Sequence, residues 1–225
     1  MNIVNSQALE HISPKQQFQI ETKSKISIDV KTYGEIDYLI TQDAMAKFSS
    51  NRDDSSLDQI WLLQHPPVYT LGTSCKQSTL NSSKINQVKS DRGGQITYHG
   101  PGQVVMYALL NLKRHNIGVK GLVTKLEQAA INALASIDIL AERKADAPGV
   151  YVNQAKIAAL GLRIRRGNSY HGVSLNVDMD LTPFSNIDPC GYKGLKVTQI
   201  AELKQQHTNI QNISSSLLNS FVELL

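Results

Sequence analysis

The chain has 225 residues, 41% of them hydrophobic and 19% charged, which suffices for one domain with a real core and is short for two. Its formal charge of +4 and pI of about 9.0 come without the basic runs and interleaved aromatics of a nucleic-acid binder. No apolar run approaches the roughly 18 residues that argue for a membrane span. The start, MNIVNSQALEHISPKQQ, has no basic region followed by an apolar stretch, so the expectation is a cytoplasmic protein.

Residues 1–25 are polar and without periodicity, and read as a mobile extension ahead of one domain over 26–225. Ile26, Ile28 and Val30 alternate with polar residues as in a half-buried strand, and Ile36, Leu39, Ile40, Ala44 and Phe48 follow helical spacing. Gln59–Gln64 reads as a buried strand ended by His65-Pro66-Pro67, with a short strand over Val68–Leu71. Residues 72–90 are polar and unpatterned, a loop long enough to suggest a lid or substrate loop. Val104–Leu112 is the strongest strand candidate. Val119, Leu122, Val123, Leu126, Ala130, Ala133 and Ile137 then mark an amphipathic helix. Val150–Val152, Lys156–Ile164 and Tyr170–Val177 are joined by turns so short that they must pair antiparallel. Residues 178–196 read as loop, and Ile210, Ile213, Leu217, Phe221 and Leu224 as a closing helix. Strand runs with short hairpins and a few helices predict an α+β fold with a mixed, largely antiparallel sheet.

Two cysteines, Cys75 and Cys190, exclude a cysteine-only zinc site and give no support to a disulfide framework. The six histidines never occur as His-x-x-x-His, so no metal is expected. Arg163, Arg165 and Arg166 form the densest basic cluster, either a solvated face or a landing patch for an acidic partner.

Three segments carry chemistry. In DRGGQITYHGPGQVVMY (91–107), Gly93-Gly94 permits close backbone approach to a ligand. Pro101-Gly102 fits the centre of a type II turn holding Tyr98 and His99 at the mouth of the next strand, though an ordinary glycine-rich turn explains the pattern equally. In ADAPGVYVNQAKIAALG (145–161), Lys156 opens an apolar strand. There it either snorkels to solvent or, desolvated, has a lowered pKa suited to moving protons. In DPCGYKGLK (188–196), proline before and glycine after place Cys190 on a sharply turned loop that suits a nucleophile needing access. Most free cysteines are buried and inert, and Cys75 is read that way.

Together these residues resemble the bacterial octanoyltransferases, also called lipoyl(octanoyl) transferases. RGGQITYHGPGQ (92–103), DAPGVYV, KIAALGLRIRRGNSYHGVSLNVDMDLTPF and DPCGYKG occur in that family's order, and the resemblance spans roughly residues 26–200. It implies a catalytic domain like that of biotin and lipoate protein ligases, with Cys190 as nucleophile and Lys156 as its paired lysine. It implies acyl-binding positions at Arg92, Gly93, Gly94, Gln95, Ile96, Thr97, Tyr98 and His99, at Ala159, Leu160 and Gly161, and at Gly172, Val173 and Ser174. The implied donor is octanoyl-acyl carrier protein. The implied acceptors are lipoyl domains of 2-oxoacid dehydrogenase complexes and the glycine cleavage H protein, with no cofactor, no metal, no nucleic acid and no membrane, and a monomer at work. Asp146 matches the family without a role.

Thioester-for-thioester exchange is nearly isoenergetic, so charging Cys190 needs no ATP. A lysine beside it can stabilise the thiolate as a cation or take the thiol proton as a base. The small residues Gly93, Gly94, Ala158, Ala159, Gly161 and Gly172 suit a narrow tunnel, and bulk at Gly172 or Ala159 is expected to shorten the accepted chain without unfolding the protein. Two alternatives remain. An ATP-dependent lipoate or biotin protein ligase would not need Cys190 and would need a phosphate site, yet no Gly-x-x-x-x-Gly-Lys-Ser/Thr loop occurs. A non-catalytic acyl-binding module would need neither Cys190 nor Lys156.

Overall fold

The computed structural model describes residues 13–75, 84–187 and 194–225. An eight-stranded mixed sheet runs in the order β1-β2-β3-β7-β11-β10-β9-β8. Its strands are β1 (Gln16–Glu21), β2 (Ser27–Glu35), β3 (Asp58–Gln64), β7 (Gln103–Leu109), β8 (Glu142–Arg143), β9 (Val150–Val152), β10 (Ala155–Arg165) and β11 (Asn168–Asn176). A second sheet, order β5-β4-β6, joins β4 (Val68–Leu71), β5 (Asn86–Lys89) and β6 (Ile96–His99). Within the large sheet β2 and β3 are parallel, because α1 (Tyr38–Asn51) carries the chain back between them; its other pairs are antiparallel. The architecture is the expected α+β one.

Alternation along the central strands divides the core in two. Val104, Met106, Ala108, Val173 and Leu175 pack under α2 (Val119–Ala135) and α4 (Ile210–Leu224), burying Leu122, Leu126, Leu217 and Phe221. Val105, Tyr107 and Tyr170 face the other side, with Trp61, Leu63 and Met45 of α1. The starts of α1 and α4 are set by side-chain caps. Asp37 Oδ1 accepts from Leu39 N and Ile40 N at 2.8 and 3.1 Å, and Asn209 Oδ1 accepts from Gln211 N and Asn212 N at 2.9 and 3.3 Å. The hairpins β9–β10 and β10–β11 turn through Asn153-Gln154 and Arg166-Gly167, all four with positive φ, as two-residue type I′ loops require.

Four expectations change. The unpatterned extension over 1–25 does not hold for Gln16–Glu21, which pair with β2 as an edge strand. The polar stretch 72–90 contains β5, parallel to β4, and the stretch 178–196 contains a 3-10 turn over Thr182–Asn186. In α1 the fully buried face is Tyr38, Thr41, Met45 and Ser49, one step round from the apolar residues counted in the sequence. A short helix, α3 (Ile200–Lys204), precedes α4. Among the described residues no helix is long and apolar enough to cross a membrane.

Candidate active site

A cavity of about 500 Å³, counted to its solvent mouth, lies between the large sheet and the 91–99 segment. Its floor follows from strand register. Ala159 pairs with Ser174, Gly161 with Gly172, Gly172 with Tyr107 and Ser174 with Val105, so these side chains share one face. A tract of Ala, Gly, Gly and Ser among bulky neighbours leaves a trough. Leu160 and Val173, one residue out of phase, line it through their backbone and send their side chains into the α2/α4 core.

The roof is Arg92, Gly94, Gln95, Ile96, Thr97 and His99. Gly93 N donates to Leu162 O at 2.9 Å, seating this segment on β10. Arg92 holds it to the small sheet, with Nη2 donating to Thr70 O at 2.6 Å and Nε to Thr70 Oγ1 at 3.1 Å. The turn before β7 has the expected form. Gly102 has φ +86° and Gln103 N donates to Gly100 O at 3.2 Å.

Twelve of the fourteen expected acyl-binding positions line this cavity: Arg92, Gly94, Gln95, Ile96, Thr97, His99, Ala159, Leu160, Gly161, Gly172, Val173 and Ser174. Two do not. Tyr98, one strand position from His99, turns to the opposite side and packs on Tyr69 and Phe184, each at 5.5 Å between ring centroids. Gly93 lines a neighbouring cavity with Asp146 and Pro148.

Lys156 stands at one end of the trough. It is 3% exposed, and its Nζ donates to Pro148 O at 3.0 Å and lies 5.2 Å from the centre of the Tyr151 ring. The snorkelling alternative is thereby excluded. A further space of about 300 Å³ touches Lys156 together with Thr97, Ala159 and Ser174, three residues it shares with the main cavity. Cys190 lies outside the described residues, but the chain following it is anchored here. Lys156 N donates to Lys196 O at 2.8 Å and Thr198 N to Lys156 O at 3.0 Å. Cys75 is partly buried against the Tyr69 and Tyr98 cluster. Arg163, Arg165 and Arg166 are exposed toward the other end of β10, beginning about 20 Å along the strand from Lys156.

The opposite end of the trough is aromatic and polar, lined by Tyr38, Tyr107, His99 and His171. His65 Nδ1 donates to Ile36 O at 2.6 Å, which leaves Nε2 to accept from Tyr107 OH at 2.7 Å. His99 Nδ1 donates to Gln103 Oε1 at 2.7 Å. Burial lowers the pKa of His65 to about 4 and depresses those of His99 and His171, so all three rings are neutral at pH 7. His171 Nε2 donates to Asp91 Oδ1 at 2.7 Å, and Tyr170 OH donates to Asp91 Oδ2. Burial pushes the Asp91 carboxyl up, but these bonds outweigh it and hold the group below its usual range. Sequence reasoning missed Tyr38, Val105, Tyr107 and His171. The two β7 residues read there as core, and Tyr38 carried no motif.

Residues 37–222 match the lipoyl protein ligase A/B catalytic domain. The chain belongs to that family. Octanoyltransferases of Escherichia coli O139:H28 and Shigella boydii serotype 18 are 54% identical to it over 183 residues, 81% of this chain and 85% of theirs. Among solved structures, a lipoate-protein ligase A bound with ATP superposes with a TM-score of 0.71 at 13% identity, covering 91% of this chain and 85% of that one. The biotin protein ligase of Aquifex aeolicus gives 0.55 at 15% identity, covering 87% and 67%. At those identities the ligases share the lipoyl family's fold with this chain, and the trough lies within the matched residues.

Proposed function

We propose that this chain is an acyltransferase that moves an octanoyl group from acyl carrier protein to a lysine of a lipoyl domain, by way of Cys190. The observation that carries the reading is the continuity between a trough floored by Ala159, Gly161, Gly172 and Ser174 and the space beside Lys156. A narrow trough with a small-residue floor suits a straight acyl chain, and its reactive end then meets a buried amine. The 54% identity to octanoyltransferases supports the same substrate class.

In this reading Cys190 Sγ attacks the donor's thioester carbonyl, and its thiol proton passes to Lys156 Nζ. The bond from carbonyl carbon to the carrier's sulfur breaks, and that sulfur leaves with a proton. In the second half the acceptor amine attacks the Cys190 thioester, loses a proton to Lys156, and releases the thiol. Thioester exchange is nearly thermoneutral and amide formation is downhill, so neither metal nor nucleotide is needed. The acceptors are lipoyl domains of 2-oxoacid dehydrogenase complexes and the glycine cleavage H protein, and the working compartment is the cytoplasm. The protein acts alone as a monomer.

The test is to mix the protein with octanoyl-carrier protein without ATP and weigh it. The reading expects one octanoyl mass that hydroxylamine removes and that Cys190→Ala abolishes. Labelling that appears only with ATP and free octanoate would instead make the chain a ligase.

A further inference from the structure

β10 loses its outer neighbour part-way along its length. β9 pairs with it only as far as Val150 opposite Ala158, after a bulge between Lys156 and Ala158. Continued antiparallel, the next partners would be Leu160 and Pro148. Proline has no N–H to give to Leu160 O, and Pro148 O instead accepts from Lys156 Nζ at 3.0 Å. The ladder stops there. Two residues further on, Gly93 N donates to Leu162 O at 2.9 Å and closes the gap from the far side.

The direction of the groups in this gap is fixed from both ends. A Cβ on Gly149 would lie 2.9 Å from Ala158 O, and Leu162 O is bonded to Gly93, so both carbonyls point away from β11. Main-chain groups alternate sides along a strand, so Leu160 N–H and C=O point the same way, with Leu162 N–H beside them. Among the described residues no hydrogen bond reaches these three groups. They border a cavity of about 790 Å³, counted to its solvent mouth, whose other walls include Gly93, Val123, Asp146 and Pro148. Pro148 joins this cavity to the Lys156 amine, and Leu160 and Gly161 join it to the acyl trough.

We infer that this open edge binds the arm on which the donor carries its thioester, an extended chain with two secondary amides, by strand-like pairing with Leu160 and Leu162. This rests on the proposed acyl transfer. A carrier protein's pantetheine arm offers two N–H and two C=O groups, and main-chain pairing with an open strand edge gives such an extended chain its affinity. Between its sulfur and its pantoyl group the arm has no side branches. That suits the narrow gap beside Gly93, where a Cβ would already lie 3.3 Å from Leu162 O. An acceptor lysine has no amide along its stem, and the peptide flanking it brings side chains into the same gap. Beyond Leu162 the strand leads to the exposed Arg163 and Arg165, whose charge complements the arm's phosphodiester.

The test offers the full chain three small donors: octanoyl-pantetheine, its analogue with both amides replaced by esters, and S-octanoyl-mercaptoethanol, which has no arm. Capture is read as the rate of octanoyl mass gain at limiting donor. The native protein is expected to take octanoyl-pantetheine about tenfold or more faster than the ester analogue, since two N–H donors are lost. Val123→Trp fills the cavity from α2. It should lower the octanoyl-pantetheine rate to that of the ester analogue, with S-octanoyl-mercaptoethanol within about twofold of its native rate. Equal native rates for octanoyl-pantetheine and the ester analogue overturn the inference, as does discrimination retained in a folded Val123→Trp protein. A Val123→Trp protein slowed only in transfer to a lipoyl domain also overturns it, and gives the edge to the acceptor. If that variant fails to fold by circular dichroism, the native comparison of the amide and ester donors decides. A native chain that gains no octanoyl mass from any donor, carrier protein included, would instead defeat the transfer reading itself.

Discussion

Lys156 and Val197 form an isolated parallel bridge, in which the Lys156 backbone is bonded on both sides by the chain that follows Cys190. The strand that carries this buried amine is thus tied by main chain to residues 196–198. Thr198→Pro removes the donor to Lys156 O together with the Thr198 Oγ1 bond to Glu202 at 3.2 Å, so the comparison is made on protein whose circular dichroism is native. The rate of octanoyl capture should then fall tenfold or more, since small misplacements of reacting groups are expensive. Capture at the native rate, measured by mass, would separate the bridge from the chemistry.

Glycine at 172 has a different reason from the one its size suggests. A Cβ there would lie 2.1 Å from Met106 O and 3.2 Å from Tyr107 Cα, so bulk at this position collides with β7 instead of filling the trough. Gly172→Leu therefore clashes with β7 and does not shorten the accepted chain in a folded protein, contrary to what the size of the residue suggests. Gly172→Ala should destabilise by about 3 kcal/mol or more in urea unfolding. Ala159 keeps its side chain on the trough face, and Ala159→Leu should leave the protein folded while favouring hexanoyl over octanoyl donors.

Much of this was legible before the structure. Hairpins β9–β10 and β10–β11 announced themselves through short turns between apolar runs, and the motif residues of the roof and floor came together as their order implied. What sequence could not show follows from geometry. Alternation assigns His171 to the core, and only its positive φ reverses that. Tyr107 and Val105 sit in a uniformly apolar strand, where nothing distinguishes the face that is lined from the face that is packed. Phe18 and Ile20 alternate over too few residues to declare an edge strand whose side chains stay largely exposed.

Away from the trough, Asp58 is fully buried beside two guanidinium groups and an imidazole ring. Arg52 Nη2 lies 2.5 Å and Arg114 Nη1 3.3 Å from Oδ1, and His115 Nε2 2.8 Å from Oδ2. Burial pushes this carboxyl up, but the bonds from His115, Arg52 and Asn111 N hold it below its usual range. Asp58→Ala leaves the buried Arg52 side chain without its counter-charge and the His115 ring without its partner. It should cost about 3–5 kcal/mol in equilibrium unfolding while the folded fraction keeps its rate of capture.

The buried histidines fix the sign of an acid dependence. His65, His99 and His171 have folded pKa values below the usual 6.5, so the unfolded chain binds more protons as pH falls. Their contribution is fully present above pH 6.5 and is lost progressively as pH falls toward their folded values, about 4 for His65. Urea midpoints should drop between pH 6.5 and 4.5, and the His65 ring proton should not titrate above pH 5 by NMR. A midpoint constant across that range would contradict the neutral assignments.

The division of labour between Cys190 and Lys156 is tested most directly by single-turnover mass measurements of acyl-enzyme formation and decay. Octanoyl-carrier protein and a lipoyl domain would be added in turn to the native chain, Cys190→Ala and Lys156→Arg. Guanidinium keeps the charge of Lys156 but cannot accept a proton. The account predicts no adduct on Cys190→Ala. In Lys156→Arg it predicts an adduct that accumulates, because transfer to the acceptor slows by about a hundredfold or more. An adduct on Cys190→Ala, or undiminished transfer in Lys156→Arg, would contradict it.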